Sequence, residues 1–424
     1  MSQPPLDDNP WRAKARALDR YRWQLLRERH GLFGSLLRFV REAWFDLLFG
    51  WRARRRLDDG VQTLACELLL LQSAPKVIAF QRKRLLIDTL RARGHLLLET
   101  ALDEPARLLA GRCLAAPPYP VPLRYFGYAA HAQWLERRYQ PRLLLNDRNG
   151  SFYVPFLRLA LNARGALLVH LAHASTVEGS RRLGMNDYDY YLLFGRSSLE
   201  ALLARRLRFG SSRAVLCGSH MIDGSYELPP PQMGERTLLL LGVGPDKEKL
   251  PGYRRTYRLL REWAQRHPEQ RLLVKAHPRS SATFWREAAA SLGNVELLPP
   301  GCGLADALAR ASAVFSVISN AVIEATLAGR PVIYVNVSQE TDIFQQERFF
   351  GPAVRDLPTL ESRLRALEHD YPMEVEKARQ FCEYHLAHRV AGLANTLEVL
   401  EALLQGRPQS IASHPLPAAP SGSV

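Results

Sequence analysis

Residues 313–336 read AVFSVISNAVIEATLAGRPVIYVN. The stretch opens on a continuous apolar run, AVFSVIS (313–319), and passes into the helical pattern NAVIEATLAG (320–329). A second apolar run, PVIYVN (331–336), follows the Gly329-Arg330-Pro331 return. Strands that are apolar throughout, rather than at every other residue, belong to parallel sheets covered by helices on both faces. Upstream the alternation continues. TLLLLG (237–242) ends in the turn Gly242-Val243-Gly244, a helix follows at 254–266, and RLLVKAH (271–277) is the next strand. A helix at 282–292, the strand VELLP (295–299) and the helix LADALARA (304–311) complete the series.

A second alternating series precedes this one. Its strands are KVIAF (76–80), RLLLN (142–146), ALLVHLA (166–172), YYLLF (190–194) and AVLCG (214–218), with helices at 155–163 and 197–207. Between the two series, GSYELPPPQMGER (224–236) holds three consecutive prolines, which continue neither a helix nor a central strand. The fold class expected is α/β, with two Rossmann-like domains facing a cleft where the strands run out. Residues 1–60 form a basic amphipathic helical extension, 61–223 the first domain, 224–236 the linker, and 237–404 the second domain. A final helical region, roughly 372–404, is a candidate to cross back onto the first half. Residues 405–424, rich in Pro, Ser and Ala, are expected to be disordered.

The 424 residues and 47% hydrophobic content allow two ordinary cores. The five cysteines are scattered without CxxC spacing, which argues against a disulfide framework or a structural zinc and suits a reducing cytosol. The first residues are polar, so no signal peptide is expected, and no run of ~20 apolar residues suggests a membrane span. The net charge is +15, and residues 11–56 hold thirteen Lys/Arg against four Asp/Glu.

Within that basic segment, Phe33, Leu36, Leu37, Val40, Trp44, Leu47, Leu48 and Trp51 make one helical stripe, with Arg38, Glu42 and Asp46 away from it. Arg52, Arg54, Arg55 and Arg56 follow at once. The pattern fits the surface of an anionic bilayer. Packing on the protein core is the other reading, since Phe39, Phe45 and Phe49 lie off the stripe. No base-reading module accompanies the arginines, so nucleic acid is not an expected partner.

Chemistry-bearing residues gather at expected strand ends. Lys275, His277, Pro278 and Arg279 terminate one strand, and their cations suit a diphosphate or nucleotide phosphate. Ser316, Ser319 and Asn320 end another where a helix opens, with Glu324 one turn inside it. Helix-end N–H groups and hydroxyls bind phosphate, and Glu324 is a candidate for a ribose hydroxyl. Ser319 and Asn320 also suit plain capping. Gly242 and Gly244 join the same phosphate-binding set. In the first half, Asp147 follows RLLLN, and His170 and His173 come at the end of ALLVHLA. His170 reads as buried. His173, Asp147 and more distantly Asp187 are the general-base candidates, in that order. Asp187-Tyr188-Asp189 precedes a strand rather than ending one, so no metal is expected.

The Lys-x-His-Pro strand end, the Ser-x-x-Ser strand end, the helix with Glu and the Gly-x-Pro return together resemble the C-terminal half of GT-B transferases. The nearest groups are capsule-polysaccharide synthesis transferases, including Kdo transferases and sialyl- and polysialyltransferases, and the CDP-glycerol glycerophosphotransferases of teichoic-acid synthesis. The resemblance covers about residues 140–340. It implies that the His-Pro and serine segments bind a cytidine nucleotide, and that the donor sugar is CMP-linked, such as Kdo or sialic acid. It further implies a cell-surface polysaccharide or lipid-linked acceptor, no cofactor, and a cytoplasmic enzyme on the inner membrane face, held through residues 11–56. The relatives' His-Gly reads His173-Ala174 here. A glycerophosphotransferase, a UDP-sugar 2-epimerase of the same fold and a non-catalytic membrane-associated assembly protein are the alternatives.

Overall fold

The computed structural model describes residues 9–81, 83–230 and 237–418. Parts of the expected linker (231–236) and tail (419–424) lie outside the described residues. Asn9 starts the first helix, α1 (Pro10–Arg27), by accepting the N–H groups of Trp11 and Arg12 at 3.0 and 3.3 Å. Its inner face buries Trp11, Ala15, Leu18 and Tyr21. α2 (Leu32–Arg54) follows, confirming a helical extension.

Among the described residues the strands are, in chain order, β1 (Leu68–Gln72), β2 (Leu97–Ala101), β3 (Leu143–Asn146), β4 (Leu167–Leu171), β5 (Tyr190–Leu193), β6 (Ser212–Leu216), β7 (Thr237–Leu241), β8 (Arg271–Lys275), β9 (Val295–Leu297), β10 (Ala313–Ser316), β11 (Val332–Tyr334) and β12 (His414–Leu416). They form two sheets, one per unit. The first has the order β12-β6-β5-β4-β3-β1-β2, and the second β11-β10-β7-β8-β9. Every pair is parallel except β12 with β6. β1 and β7 are buried at every residue, as a sheet covered on both faces requires.

One unit comprises the chain up to Phe194, Ser198–Met221 and the chain from Leu393 on; the other is Gly195–Ser197 with Ile222–Gly392. Three expectations are corrected. KVIAF is a short helix, Pro75–Ala79, because Pro75 sits at its N1 position; the strand beside it is β1, LLLLQ. The second domain ends before 404: the helix Gly392–Leu404 crosses back onto the first half, as expected for the last part of 372–404, and its Leu397, Leu400, Leu403 and Leu404 join the core of β1, β3 and β4. The tail is ordered at residues 414–416, where β12 covers the β6 edge and buries Leu416.

α2 is docked by its polar side. Asp46 is buried and receives Arg22 Nη1 at 2.7 Å, Arg124 Nε at 3.3 Å and the Tyr128 hydroxyl at 2.8 Å. Arg22 Nη2 also donates to Glu42 at 3.0 Å. A Cβ at Gly50 would lie 1.8 Å from the Leu123 carbonyl oxygen, so α2 lies directly against the helix Leu123–Tyr139. The apolar stripe faces outward instead: Phe33 is 79% exposed, Trp44 66% and Leu37 63%. This rules out packing of the stripe on the described core.

Asp46→Ala removes the carboxylate that two buried guanidinium groups share, leaving Arg22 with Glu42 and Arg124 with Asp19. Urea unfolding is expected to show a loss of about 1–3 kcal/mol. A loss under ~1 kcal/mol, typical of surface ion pairs, would show that Asp46 does not hold α2 in place.

Candidate functional site

The second unit carries one group of side chains on three adjacent strand ends. β7 lies between β8 and β10, with Leu241 beside Lys275 and Leu240 beside Phe315. Parallel strands emerge on the same side, so Gly242, Lys275 and Ser316 fall in one row. Gly242 N–H donates to the Lys275 carbonyl at 2.9 Å. A Cβ at Gly242 would meet that oxygen at 2.9 Å, and Ala276 Cα and the His277 nitrogen at 3.0 Å. The site therefore needs glycine there. His277 Nε2 lies 4.0 Å from the Cβ position of Gly244.

The His277–Ser280 turn is fixed from within. His277 Nδ1 accepts the Arg279 N–H at 3.1 Å, which assigns the ring proton of the neutral form to Nε2, on the side of Gly244. Ser280 N–H donates to the His277 carbonyl at 2.8 Å, and Ser280 Oγ donates to Glu248 at 2.5 Å. Pro278 and Arg279 are exposed, and Lys275 and His277 are half-buried. The structure thus brings Gly242, Gly244, Lys275, His277, Pro278 and Arg279 together.

Ser316 ends β10 fully buried, and its Oγ has no hydrogen-bond partner among the described residues. Ser319 Oγ accepts the Ala321 N–H at 3.3 Å, the plain capping role. The helix Ala321–Leu327 that follows Asn320 has only seven residues, so its dipole adds little. Glu324 Oε2 is buried without a partner among the described residues, and burial pushes its carboxyl up to about 7. An unpartnered buried carboxylate is costly.

In the first unit, β3 and β4 are neighbours, with Asn146 beside His170. His170 is an interior residue, as expected. It is fully buried, stacked on Tyr188 with ring centroids at 4.4 Å, and in contact with Asn146 Nδ2 at 2.8 Å. Burial, with His173 and Lys83 nearby, holds it well below the usual histidine range. His173 is exposed just past the end of β4. Asp147 is buried against Lys83, 2.5 Å from its Nζ. That pairing occupies Oδ2, and Asp147 Oδ1 is buried without a hydrogen-bond partner among the described residues. Asp187 is likewise paired, with Lys14 at 2.6 Å and Arg158 at 2.9 Å. Asp189 takes Arg158 and Asn162, both at 2.9 Å.

Two residues of this cluster escaped the sequence reading. Lys83 is one of three basic residues in QRKR and carries no motif of its own. His220 is buried, and burial, with Lys83 and His173 nearby, pushes it down to about 3. Among the described residues no group of three or more His, Cys, Asp or Glu side chains is placed to hold a metal ion. None of their helices is long and apolar enough to cross a membrane.

No protein-family model matches the chain, and no curated protein sequence matches it. Solved structures do. A Listeria monocytogenes protein assigned as a UDP-N-acetylglucosamine 2-epimerase superposes with a TM-score of 0.52 at 13% identity, over 80% of this chain and 98% of that one. Another UDP-N-acetylglucosamine 2-epimerase gives 0.52 at 13% identity, over 82% and 99%. S. aureus MnaA with UDP gives 0.52 at 10% identity, over 80% and 97%. The chain has the GT-B fold. At these identities the likeness extends to the fold alone.

Glu324 gives this fold a pH signature. A carboxyl raised in the folded state binds its proton more tightly there. Its contribution is full below the unfolded value of 4.5 and is lost as pH rises through about 7. Without ligand, Glu324→Gln is therefore expected to match the parent's thermal midpoint near pH 4.5 and to exceed it at pH 8. An equal difference at both pH values would contradict the buried environment.

Proposed function

We propose that this GT-B chain is a glycosyltransferase that takes a sugar from a nucleotide-activated donor, CMP-linked by the motif resemblance, and delivers it to a polysaccharide or lipid-linked acceptor. The observation that carries the reading is the row of strand ends where Gly242, Lys275 and His277 lie together, with Ser316, whose hydroxyl has no partner among the described residues, on the next strand. The donor phosphate lies against the Gly242–Gly244 backbone, with Lys275, His277 and Arg279 as counter-charges. Ser316 and Asn320 add polar contacts, and Ser319 shapes the turn. Glu324 accepts a ribose hydroxyl, which gives its orphaned oxygen a partner.

In the transfer step, His173 takes the proton of the acceptor hydroxyl. That oxygen bonds to the anomeric carbon as the bond from this carbon to the phosphate oxygen breaks. The nucleotide leaves with the electron pair, and Lys275 and His277 stabilise its charge. Asp147 serves by holding Lys83 in place. A divalent ion is not required, because three basic side chains supply the charge, and the Asp187-x-Asp189 carboxylates are occupied by Lys14 and Arg158.

The outward stripe of α2 supports a seat on an anionic bilayer at the cytoplasmic face. Phe33, Leu37 and Trp44 face out, Arg55 stacks on Trp51 at 3.9 Å, and Arg52, Arg54 and Arg56 are exposed beside it. Each such arginine adds about 1 kcal/mol near anionic lipid. Such a seat suits transfer to a membrane-borne acceptor. The second reading, a UDP-sugar 2-epimerase, draws on structural neighbours that are UDP-N-acetylglucosamine 2-epimerases. An epimerase needs no acceptor.

A thermal-shift series with CMP, CDP, UDP and GDP separates the donors. A ligand at 100 times its dissociation constant stabilises by about 2.7 kcal/mol, and the cytidine nucleotides are expected to lead. His277→Ala and Lys275→Ala should abolish the shift. A shift with UDP alone, joined to epimerised UDP-sugar as product, would replace the transfer reading with the second one. For the membrane seat, flotation with phosphatidylglycerol vesicles should carry the parent and not Phe33→Glu/Trp44→Glu. Equal flotation of both would remove α2 from the account.

A further inference from the structure

The loop after β3, Arg148–Ser151, lines a cavity of about 820 Å3 in the first unit. This is within the size range of small-molecule sites. Its charge is lopsided, with Lys76, Arg107, Arg148, Arg181 and Arg182 against Asp103 and Glu104. Arg107 reaches Asp103 at 3.4 Å, and Arg181 is turned toward the Leu25 carbonyl and Glu28. Arg148 and Arg182 are exposed, and the contact made by Arg148 is an uncharged carbonyl, that of Ser73 at 3.4 Å. Lys76 is exposed as well, so the excess positive charge lies on Arg148, Arg182 and Lys76.

Two further observations mark a built site. Ser151 lines the cavity, is only 4% exposed, and its Oγ has no partner among the described residues. An unsatisfied buried hydroxyl is costly, and a ligand atom would offset that cost. Gly150 has φ +69°, and a Cβ there would stand 2.9 Å from Arg182 Cβ. The loop is thus pressed onto Arg182, which ties Arg148, Ser151 and Arg182 into one unit. Tyr21, Tyr128 and Tyr153 supply flat apolar walls.

We infer that this cavity binds a phosphate-bearing sugar, the anionic end of the acceptor. Arginine's planar fork matches phosphate oxygens in pairs, the Ser151 hydroxyl donates to a third polar atom, and the tyrosine faces take the sugar ring. Calling the occupant an acceptor rests on the transfer reading; the anion site does not.

Calorimetric titration of the full chain with glucose 1-phosphate, inorganic phosphate and methyl glucoside tests it. Glucose 1-phosphate is expected to bind at least tenfold tighter than methyl glucoside. Arg148→Ala/Arg182→Ala should weaken it at least tenfold while keeping the parent's thermal midpoint and nucleotide shift. Arg148→Lys/Arg182→Lys, which retains the charge, should restore most of the affinity. Equal binding of the phosphorylated and neutral sugars, or no loss in the alanine pair, overturns the inference. So does binding confined to sugar-free phosphatidylglycerol vesicles and lost in the alanine pair, which would make the cavity a lipid headgroup site. Arginine-dependent sugar-phosphate binding in a chain that binds no nucleotide supports the cavity and contradicts only the transfer reading.

Discussion

The second unit of this protein depends on a close backbone approach. Gly242 sits where the Lys275–His277 chain passes within 3.0 Å of a side-chain position, and its N–H bonds to Lys275. Any larger residue would push the two strand ends apart. The contact sets the spacing between the Gly242–Gly244 turn and the basic tip beside it. The turn from His277 to Ser280 adds orientation, because the Arg279 N–H occupies His277 Nδ1 and leaves Nε2 as the donor. Lys275, the His277 ring and the turn are thus held by the protein itself, which is the preorganisation that the proposed phosphate site requires. This arrangement is what makes electrostatic stabilisation effective.

The basic extension follows a different logic. α2 presents its carboxylates inward and its aromatic stripe outward, opposite to the arrangement of a surface helix in water. Asp46 makes this tolerable, since three donors from α1 and the helix Leu123–Tyr139 converge on it. These polar contacts, with the buried Phe49 and Ala53, hold the helix, and the stripe of Phe33, Leu37 and Trp44 remains on the surface. The first unit shows the same use of buried charge elsewhere. Lys83–Asp147 and Asp187 with Lys14 and Arg158 anchor loops at the two ends of its sheet.

How much of this was legible depended on the kind of signal. Strands β7 to β11 were readable within a few residues, because runs such as TLLLLG and RLLVKAH are bounded by Gly and Pro. β1 was missed and KVIAF taken for a strand. A leucine run carries no strand-specific branching, whereas Val and Ile do, and Pro75 outweighed them locally. The row of Gly242, Lys275 and Ser316 was foreseeable, since parallel topology carries strand ends to one side. Lys83 was not, because its partner lies 64 residues away and nothing in QRKR marks one of its basic residues as buried. The outward direction of the α2 stripe was equally invisible. Periodicity shows that a stripe exists and not what it faces.

Hydrogen–deuterium exchange on the full chain, with and without saturating CMP, tests the central claim most directly. The account predicts slowed exchange in residues 242–248, 275–280 and 316–324 together, and little change along α2. Protection confined to the first unit, or no protection in those three segments with any pyrimidine nucleotide, would contradict a phosphate site at the ends of β7, β8 and β10.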